Sequence, residues 1–355
     1  MQQGTMNETG ISRRGFLAGA AVSALAGGLG LAGCAPQAKA GAATQSNEEG
    51  TSGAQQADQA RDAFAAPEPI TDVSEEKDFD IVIVGLGMSG ACAALAAVEG
   101  GAKVAVLQKV GIPMTHGNFC AVINCDELTE AGCQTMDVDA VMKTFNENNS
   151  NAINWNLVKR YFEESPESGS WLLSRAEEAG AEAIIPAPVP AVKFKGKQVA
   201  GVTALAELAQ SKGAEIFYST SGKQLVRDDG GRVTGVIGKD RAGKFIRFNA
   251  KKGVVMATGD YANDKRMMDY YLPDVTNLEL KRRGRDGDGQ KMIVWAGGRM
   301  ENVGHTKMVH DMDAGPATMM SHPYLRVKAS TGRRFSSEMV PMEYMNCFLL
   351  SKEDA

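Results

Sequence analysis

The stretch Phe79–Val84 followed by Gly85-Leu86-Gly87-Met88-Ser89-Gly90 constrains the fold of this chain more than any other. The apolar run FDIVIV, the glycine turn and the small-residue run ACAALAAVEGGA predict a buried strand, a tight turn and a helix. In that unit Gly85 makes the turn and Gly87 lets backbone approach a pyrophosphate. Gly90, with Ala94 one helical turn beyond it, lets helix and strand pack closely. The first helical turn then offers unpaired amide donors and a positive dipole end to phosphates. A second strand is expected at Lys103–Leu107, and Gln108 holds the ribose-recognition position where an acidic residue is usual. Strand, turn, helix, second strand and ribose position together predict a dinucleotide-binding α/β domain.

The N-terminus carries a different message. Ser12-Arg13-Arg14-Gly15-Phe16-Leu17 precedes an uncharged stretch that runs to Gly33. Twin arginines ahead of a Gly- and Ala-rich apolar segment read as a twin-arginine export signal, a route that moves folded proteins. The segment ends in Leu31-Ala32-Gly33-Cys34, which is similar to a lipoprotein box with Cys34 as the lipidated residue. Cleavage after Ala38-Lys39-Ala40, which leaves a soluble product, is the alternative. From Cys34 to Lys77 the composition is Ala, Gln, Ser, Gly and Glu with few apolar anchors, so residues 34–77 are expected to be a disordered tether.

A formal net charge of −5 gives no reason to expect a nucleic-acid partner, and the basic run Lys281–Arg285 reads as a solvated loop. Beyond Cys34 the cysteines are Cys92, Cys120, Cys125, Cys133 and Cys347. Cys92 falls in the small-residue helix as an apolar filler. Cys120, Cys125 and Cys133 lie close in sequence but lack a paired Cys-x-x-Cys and a fourth ligand, so no metal is expected. No Cys-x-x-Cys-His motif is present to attach a c-type haem.

Further along, Ala152–Glu164 and Ser165–Ala179 space their apolar residues as helices, as does Val202–Lys212. The segments AEIFYST, KQLVRD, RVTGVIGKD and KFIRFNA, punctuated by glycine turns, predict an antiparallel meander. Lys252–Met256 is a last apolar strand that opens into Ala257-Thr258-Gly259-Asp260, placing backbone amides at the sheet edge where α/β folds bind ligands.

The ordered set GLGMSG, VLQK, HGN, GRVTGV, GVVMATGDYAND, GDGQKMIVWAGG and GRRFSSE resembles the flavoprotein subunits of fumarate reductase and succinate dehydrogenase. It is more similar still to their exported single-chain relatives, which reduce urocanate, ketosteroids, cardiac glycosides or cinnamate-type compounds. The resemblance spans Asp78 to Tyr344. It implies FAD as cofactor, with Gly85, Gly87, Met88, Ser89 and Gly90 at the pyrophosphate and Gln108 and Lys109 at the adenosine ribose. It also implies Gly117 and Asn118 near the flavin and Val226 near the adenine. Ala257, Thr258 and Gly259 would lie by the pyrophosphate, with Gly287, Asp288 and Gly289 in a cofactor loop.

Departures from the family refine these expectations. Gln108 replaces the usual glutamate and loses charge assistance to the ribose. Met342 stands where fumarate reductases carry an arginine proton donor, so fumarate is not the expected substrate. Tyr344 is a candidate replacement donor, since a phenol can protonate a carbanion; a half-buried cap aromatic is its duller role. His310 lies near the family's substrate-binding histidine and is followed by Asp311 where proline is usual. Arg334 and Glu338 are candidates for an ion pair that seats the cap, with a plain surface pair as the alternative. His116 and His305 read as structural. The family's chains continue past the position of Ala355 to close the cap and wall the isoalloxazine. The 355-residue chain alone is therefore expected to be marginally stable, to bind FAD weakly and to show little enone reduction.

The resulting expectation is an FAD-binding Rossmann-like α/β domain with an antiparallel meander over residues 78–304. Residues 1–33 form the signal and residues 305–355 begin a truncated α+β cap. The function implied is an exported reductase of an activated C=C bond in a small unsaturated substrate, fed by a membrane quinol or cytochrome. A dehydrogenase running in reverse, an inactive fragment and a ligand-binding surface lipoprotein are the alternatives.

Overall fold

Two long strands, residues 75–84 and 245–256, organise the chain: they pair in parallel, and the second also pairs antiparallel with residues 233–239, joining the two parts of one sheet. The computed structural model describes residues 63–115, 117–148, 151, 153–273, 284–301, 305, 327 and 331–334. The chain divides into units Met1–Gly50 and Thr51–Ala355, and the described residues all lie in the second. The elements in order are β1 (Glu75–Val84), α1 (Met88–Glu99), β2 (Val104–Gln108), β3 (Phe119–Ala121), α2 (Asp126–Glu130), α3 (Val138–Asn148) and α4 (Trp155–Glu178). They continue with β4 (Ala183–Ile184), β5 (Ala191–Phe194), α5 (Ala200–Ser211), β6 (Glu215–Tyr218), β7 (Ser221–Arg227), β8 (Val233–Lys239), β9 (Phe245–Met256), α6 (Lys265–Tyr271) and α7 (Asp288–Trp295).

The main sheet has the order β6-β2-β1-β9-β8-β7, and β3-β5-β4 form a small second sheet. β1 pairs parallel with β2 on one side and β9 on the other, so Leu107 and Met256 both lie opposite Val84. Alternation along the strands divides the core. Ile83, Val104 and Val106 face the layer built by α1, α4 and α5, while Val82, Val84, Ala105 and Leu107 face the meander and Met292 of α7. Parallel strands buried on both faces read as continuous apolar runs, which is why FDIVIV and VAVL contain no polar alternation.

Three elements depart from the expectation. The segment AEIFYST does not join the meander. β6 pairs parallel with β2, because α5 supplies the helical crossover that parallel pairing needs. KFIRFNA and Lys252–Met256 are one strand, β9, matched along β1 with a register shift between Phe79 and Ile81. The two helices expected around Ser165 are one, α4, with Pro166 inside it; buried Ser165 Oγ accepts the Ile123 amide at 2.9 Å.

Residues 63–77 also differ from the expected tether. β1 begins at Glu75, Phe64 O accepts the Trp295 indole N–H at 3.0 Å, and the Ile70 amide donates to Gln224 Oε1 at 2.9 Å. The few apolar residues there, Ala63, Phe64 and Ile70, suffice because they dock on a preformed surface. Residues 34–62 lie outside the described residues.

Candidate cofactor site

The site starts from backbone that only glycine tolerates. Gly85 follows β1 at φ +104°, and a Cβ there would lie 2.2 Å from Ala257 O. A Cβ on Gly90 would lie 2.1 Å from Gly85 O, so the first turn of α1 rests directly on the end of β1. Ala94, one turn on, is fully buried. Gly87 is the N-cap of α1; no side chain caps that helix and its first turn holds no acid. The positive end of α1 thus remains uncompensated by any carboxylate of its own, which suits a phosphate.

Two further segments close on the same sheet end. The Ala257 amide donates to Val84 O at 2.8 Å, continuing the β1–β9 pairing into the loop Ala257-Thr258-Gly259. α7 packs its own glycine against that loop, since a Cβ on Gly289 would lie 1.9 Å from Thr258 Oγ1. Gly287, its N-cap, has φ +67°. Gln290 Nε2 donates to Gly259 O at 2.8 Å. Lys109, just beyond β2, bonds the Asp286 carboxylate and lies 3.9 Å from Asp288 Oδ2, so the end of β2 is tied to the loop before α7. Arg285 and Asp260 pair at 3.2 Å.

α7 is anchored behind this edge. Asp264 caps α6 by accepting the Met267 amide at 2.8 Å and pairs with Lys291 of α7, both side chains being only 11% exposed. Burial opposes its charge, but the Lys291 ammonium and the Met267 amide outweigh it and hold the Asp264 carboxyl below the usual carboxylate range.

The expected site residues fall into three groups. Gly85, Gly87, Met88, Ser89, Gly90, Lys109, Ala257, Thr258, Gly259, Gly287, Asp288 and Gly289 are brought together at the carboxyl end of the sheet. Gln108 is there too, but inward: its Oε1 accepts the Leu86 amide at 3.3 Å and its Nε2 donates to Ile112 O at 2.7 Å. The side chain braces the glycine turn. Asn118 donates to Phe194 O at 2.8 Å, which ties it to the edge of the small sheet, and Gly117 O accepts from Thr115 in the preceding loop. Val226 lies apart, in a cleft of about 710 Å³ with Ile70, Gln224 and Trp295. What meets the end of β2 instead is the start of β7, where Thr220 N donates to Gln108 O and Gly222 abuts Val84. Arg334 is exposed and bridges to Val327. His310, Glu338, Tyr344, Cys34 and the twin arginines lie outside the described residues.

The sequence reading missed a cluster beside the loop. The Tyr261 hydroxyl bonds His305 Nδ1, and the His305 ring stacks on Tyr271 with centroids 3.9 Å apart and planes at 3°. Burial lowers the His305 pKa; burial, with the negative charges of Tyr271 and Asp260, pushes Tyr261 up to about 12. Their separation of 44 residues leaves no local signal. Burial, with Cys120 beside it, pushes the Cys92 thiol up to about 12, consistent with an unreactive filler. Among the described residues no group of three or more His, Cys, Asp or Glu is placed to hold a metal.

The cradle fits a dinucleotide. Gly85, Gly87, Gly90 and Gly289 occupy positions where a side chain would fill or distort it, and α1 presents an uncapped N-terminus to the same place. Residues 80–320 match the family model described as an FAD binding domain. The chain is 27% identical over 238 residues to vinyl phenol reductase of Lactiplantibacillus plantarum, covering 65% of this chain and 48% of that protein. It spans about half the length of the curated relatives it matches, or less. The fold is shared with the 3-ketosteroid-delta4-(5alpha)-dehydrogenase from Rhodococcus jostii RHA1, solved with 4-androstene-3,17-dione. That match has TM-score 0.63 and 20% identity over 81% of this chain and 67% of that one. It is shared equally with the open conformation of a flavocytochrome c3 fumarate reductase, with TM-score 0.61 and 22% identity over 83% and 53%.

Proposed function

The chain belongs to the FAD-binding family of fumarate reductase and succinate dehydrogenase flavoproteins, and from that premise we propose that it is an exported reductase of an activated C=C bond. The convergence of Gly85–Gly90, Ala257–Gly259 and Gly287–Gly289 on one sheet end supports the cofactor part of this reading, and the reductase relatives support the reaction class. The flavin, once reduced by two electrons from the donor, would supply a hydride for the carbon β to a carbonyl and return to FAD. The chain's part is to hold and orient. Amides at the start of α1 meet the pyrophosphate, and Lys109 with Asp286 ties the loop before α7 to the end of β2. In this reading the start of β7, rather than Val226, walls the adenine. His310 orients the carbonyl, Tyr344 protonates the α carbon, and Arg334 with Glu338 seats the cap.

The substrate class is a small enone or conjugated acid other than fumarate, because Met342 cannot donate a proton. The vinyl phenol reductase relative supports an activated alkene. Electrons come from a membrane quinol or cytochrome. Export uses Arg13-Arg14, and Cys34 carries the lipid anchor. The test is direct. Purified protein should carry flavin absorbance and reduce an enone with a chemical electron donor. Gly87→Val, which pushes a branched side chain toward Met114 O, should lose the flavin. Full flavin content in that variant would sink the assignment.

A further inference from the structure

Tyr261 stands where the cofactor loop meets the chain beyond α7. At its base, a Cβ on Gly287 would lie 2.9 Å from Tyr261 Cβ, so the left-handed turn that caps α7 rests on this residue. The backbone next to it is laced to the same turn. The Asn263 amide donates to Arg285 O at 2.8 Å, and the Arg285 amide donates to Asn263 Oδ1 at 3.0 Å. At its tip, the Tyr261 hydroxyl bonds His305 Nδ1, and the His305 ring is held in turn by its stack on Tyr271 of α6. Resting on the cofactor reading above, we propose that Tyr261 and His305 are positioning residues for the cofactor loop: their hydrogen bond fixes the ring that supports Gly287–Gly289. A turn already in place binds its ligand more tightly than one that must first be ordered.

The proton positions follow from the surroundings. Burial lowers the His305 pKa, so the ring is largely neutral at neutral pH, and Tyr261, pushed up to about 12, keeps its hydroxyl proton. His305 also bonds the Glu301 backbone. With Nε2–H given there, Nδ1 is the acceptor and the phenol the donor. Protonation of His305 places an N–H at Nδ1, which removes the acceptor and sets two donors head to head. The half-buried Tyr261 hydroxyl then loses its bond, and the ring loses its fixed tip. The titratable and charged groups that face the pair are Tyr271 from α6, Asp260 beside Tyr261, which pairs with Arg285 at 3.2 Å, and Glu301 ahead of His305. Because the folded His305 value lies below the ordinary 6.5, the support is fully present above 6.5 and is lost as pH falls through the folded value. The Asp264–Lys291 pair, which also braces α7, gives way in stronger acid, below 3.8, so the two effects separate along the pH axis.

The test titrates full-length chain, stripped of flavin, with FAD from about pH 8 down to about pH 5, the range in which a histidine changes charge. It compares wild type, Tyr261→Phe and His305→Asn, with circular dichroism at each pH to confine the comparison to folded chain. Wild type should lose FAD affinity about threefold to tenfold on acidification, the range of one net hydrogen bond. Tyr261→Phe keeps the ring under Gly287 without the bond, so it should start near the acid affinity of wild type and stay level. His305→Asn offers an acceptor that takes up no proton, and its affinity should stay level too. A flat wild-type profile would overturn the inference. So would a wild-type profile reproduced by either variant, since Asp260, Tyr271 and Glu301 remain in both and would then be its source. Wild type that binds no FAD at any pH would overturn the cofactor reading itself, and this inference with it.

Discussion

An alanine methyl at Gly90 would sit 2.1 Å from Gly85 O and 3.4 Å from Ala257 Cβ, so one carbon separates α1 from both strands that end there. Gly90→Ala should lower stability by about 1–3 kcal/mol in urea unfolding, since backbone must shift to admit it, and flavin content should fall with it. Gln108 carries the opposite lesson. The strand pattern located it at the sheet end, but its amide turns into the loop and meets Leu86 and Ile112. Gln108→Glu would set a carboxylate oxygen 2.7 Å from Ile112 O. The variant should be about 1–3 kcal/mol less stable at neutral pH, rather than tighter for flavin; urea midpoints and flavin titration together distinguish the two. Position along a strand is legible because period and turn chemistry are local. A side chain's direction is not, because packing and distant partners choose it.

Among the elements, α6 and α7 are joined by one nearly buried pair, Asp264 and Lys291. Asp264→Ala removes an N-cap and leaves an ammonium without its partner, a combination expected to lose about 3 kcal/mol or more and to loosen the Gly287–Gly289 turn. Asp264→Asn keeps the cap and isolates the charge effect; thermal unfolding of both variants reads the difference. The sign with pH follows from the lowered carboxyl. The pair's stabilisation is fully present above the unfolded-state value, near 3.8, and disappears as pH falls through the still lower folded value. Unfolding midpoints of wild type and Asp264→Asn should therefore converge on strong acidification. The first strand, glycine turn and helix were legible because residues 79–99 contain every signal they need. β6 was misplaced because AEIFYST has the composition of a meander strand, and only the packing of α5 on α1 brings it beside β2. Pro166 marked a boundary by its usual meaning, yet contacts along both sides of α4 carry the helix through it.

At the scale of the molecule, the arm from residue 63 to residue 74 runs across β7 and α7, with Phe64 set edge-on to Tyr271 at 6.3 Å. A chain starting at residue 63 is the reference for the arm. One starting at residue 78 also loses Glu75–Lys77 from the β1–β9 pairing and should unfold several degrees lower. Equal midpoints would show the arm to be passive. The arm escaped the sequence reading because its composition is that of a linker, and its few anchors matter only against a surface built from residues 224–296. That same closure has a consequence in time. Ser74 bonds Phe245, 171 positions further along, and β1 lies between β2 and β9, of which β9 is made long after it. At ordinary rates of translation, β1 leaves the ribosome roughly 10–30 s before β9 exists. For that interval FDIVIV is an apolar strand that lacks one of its two neighbours.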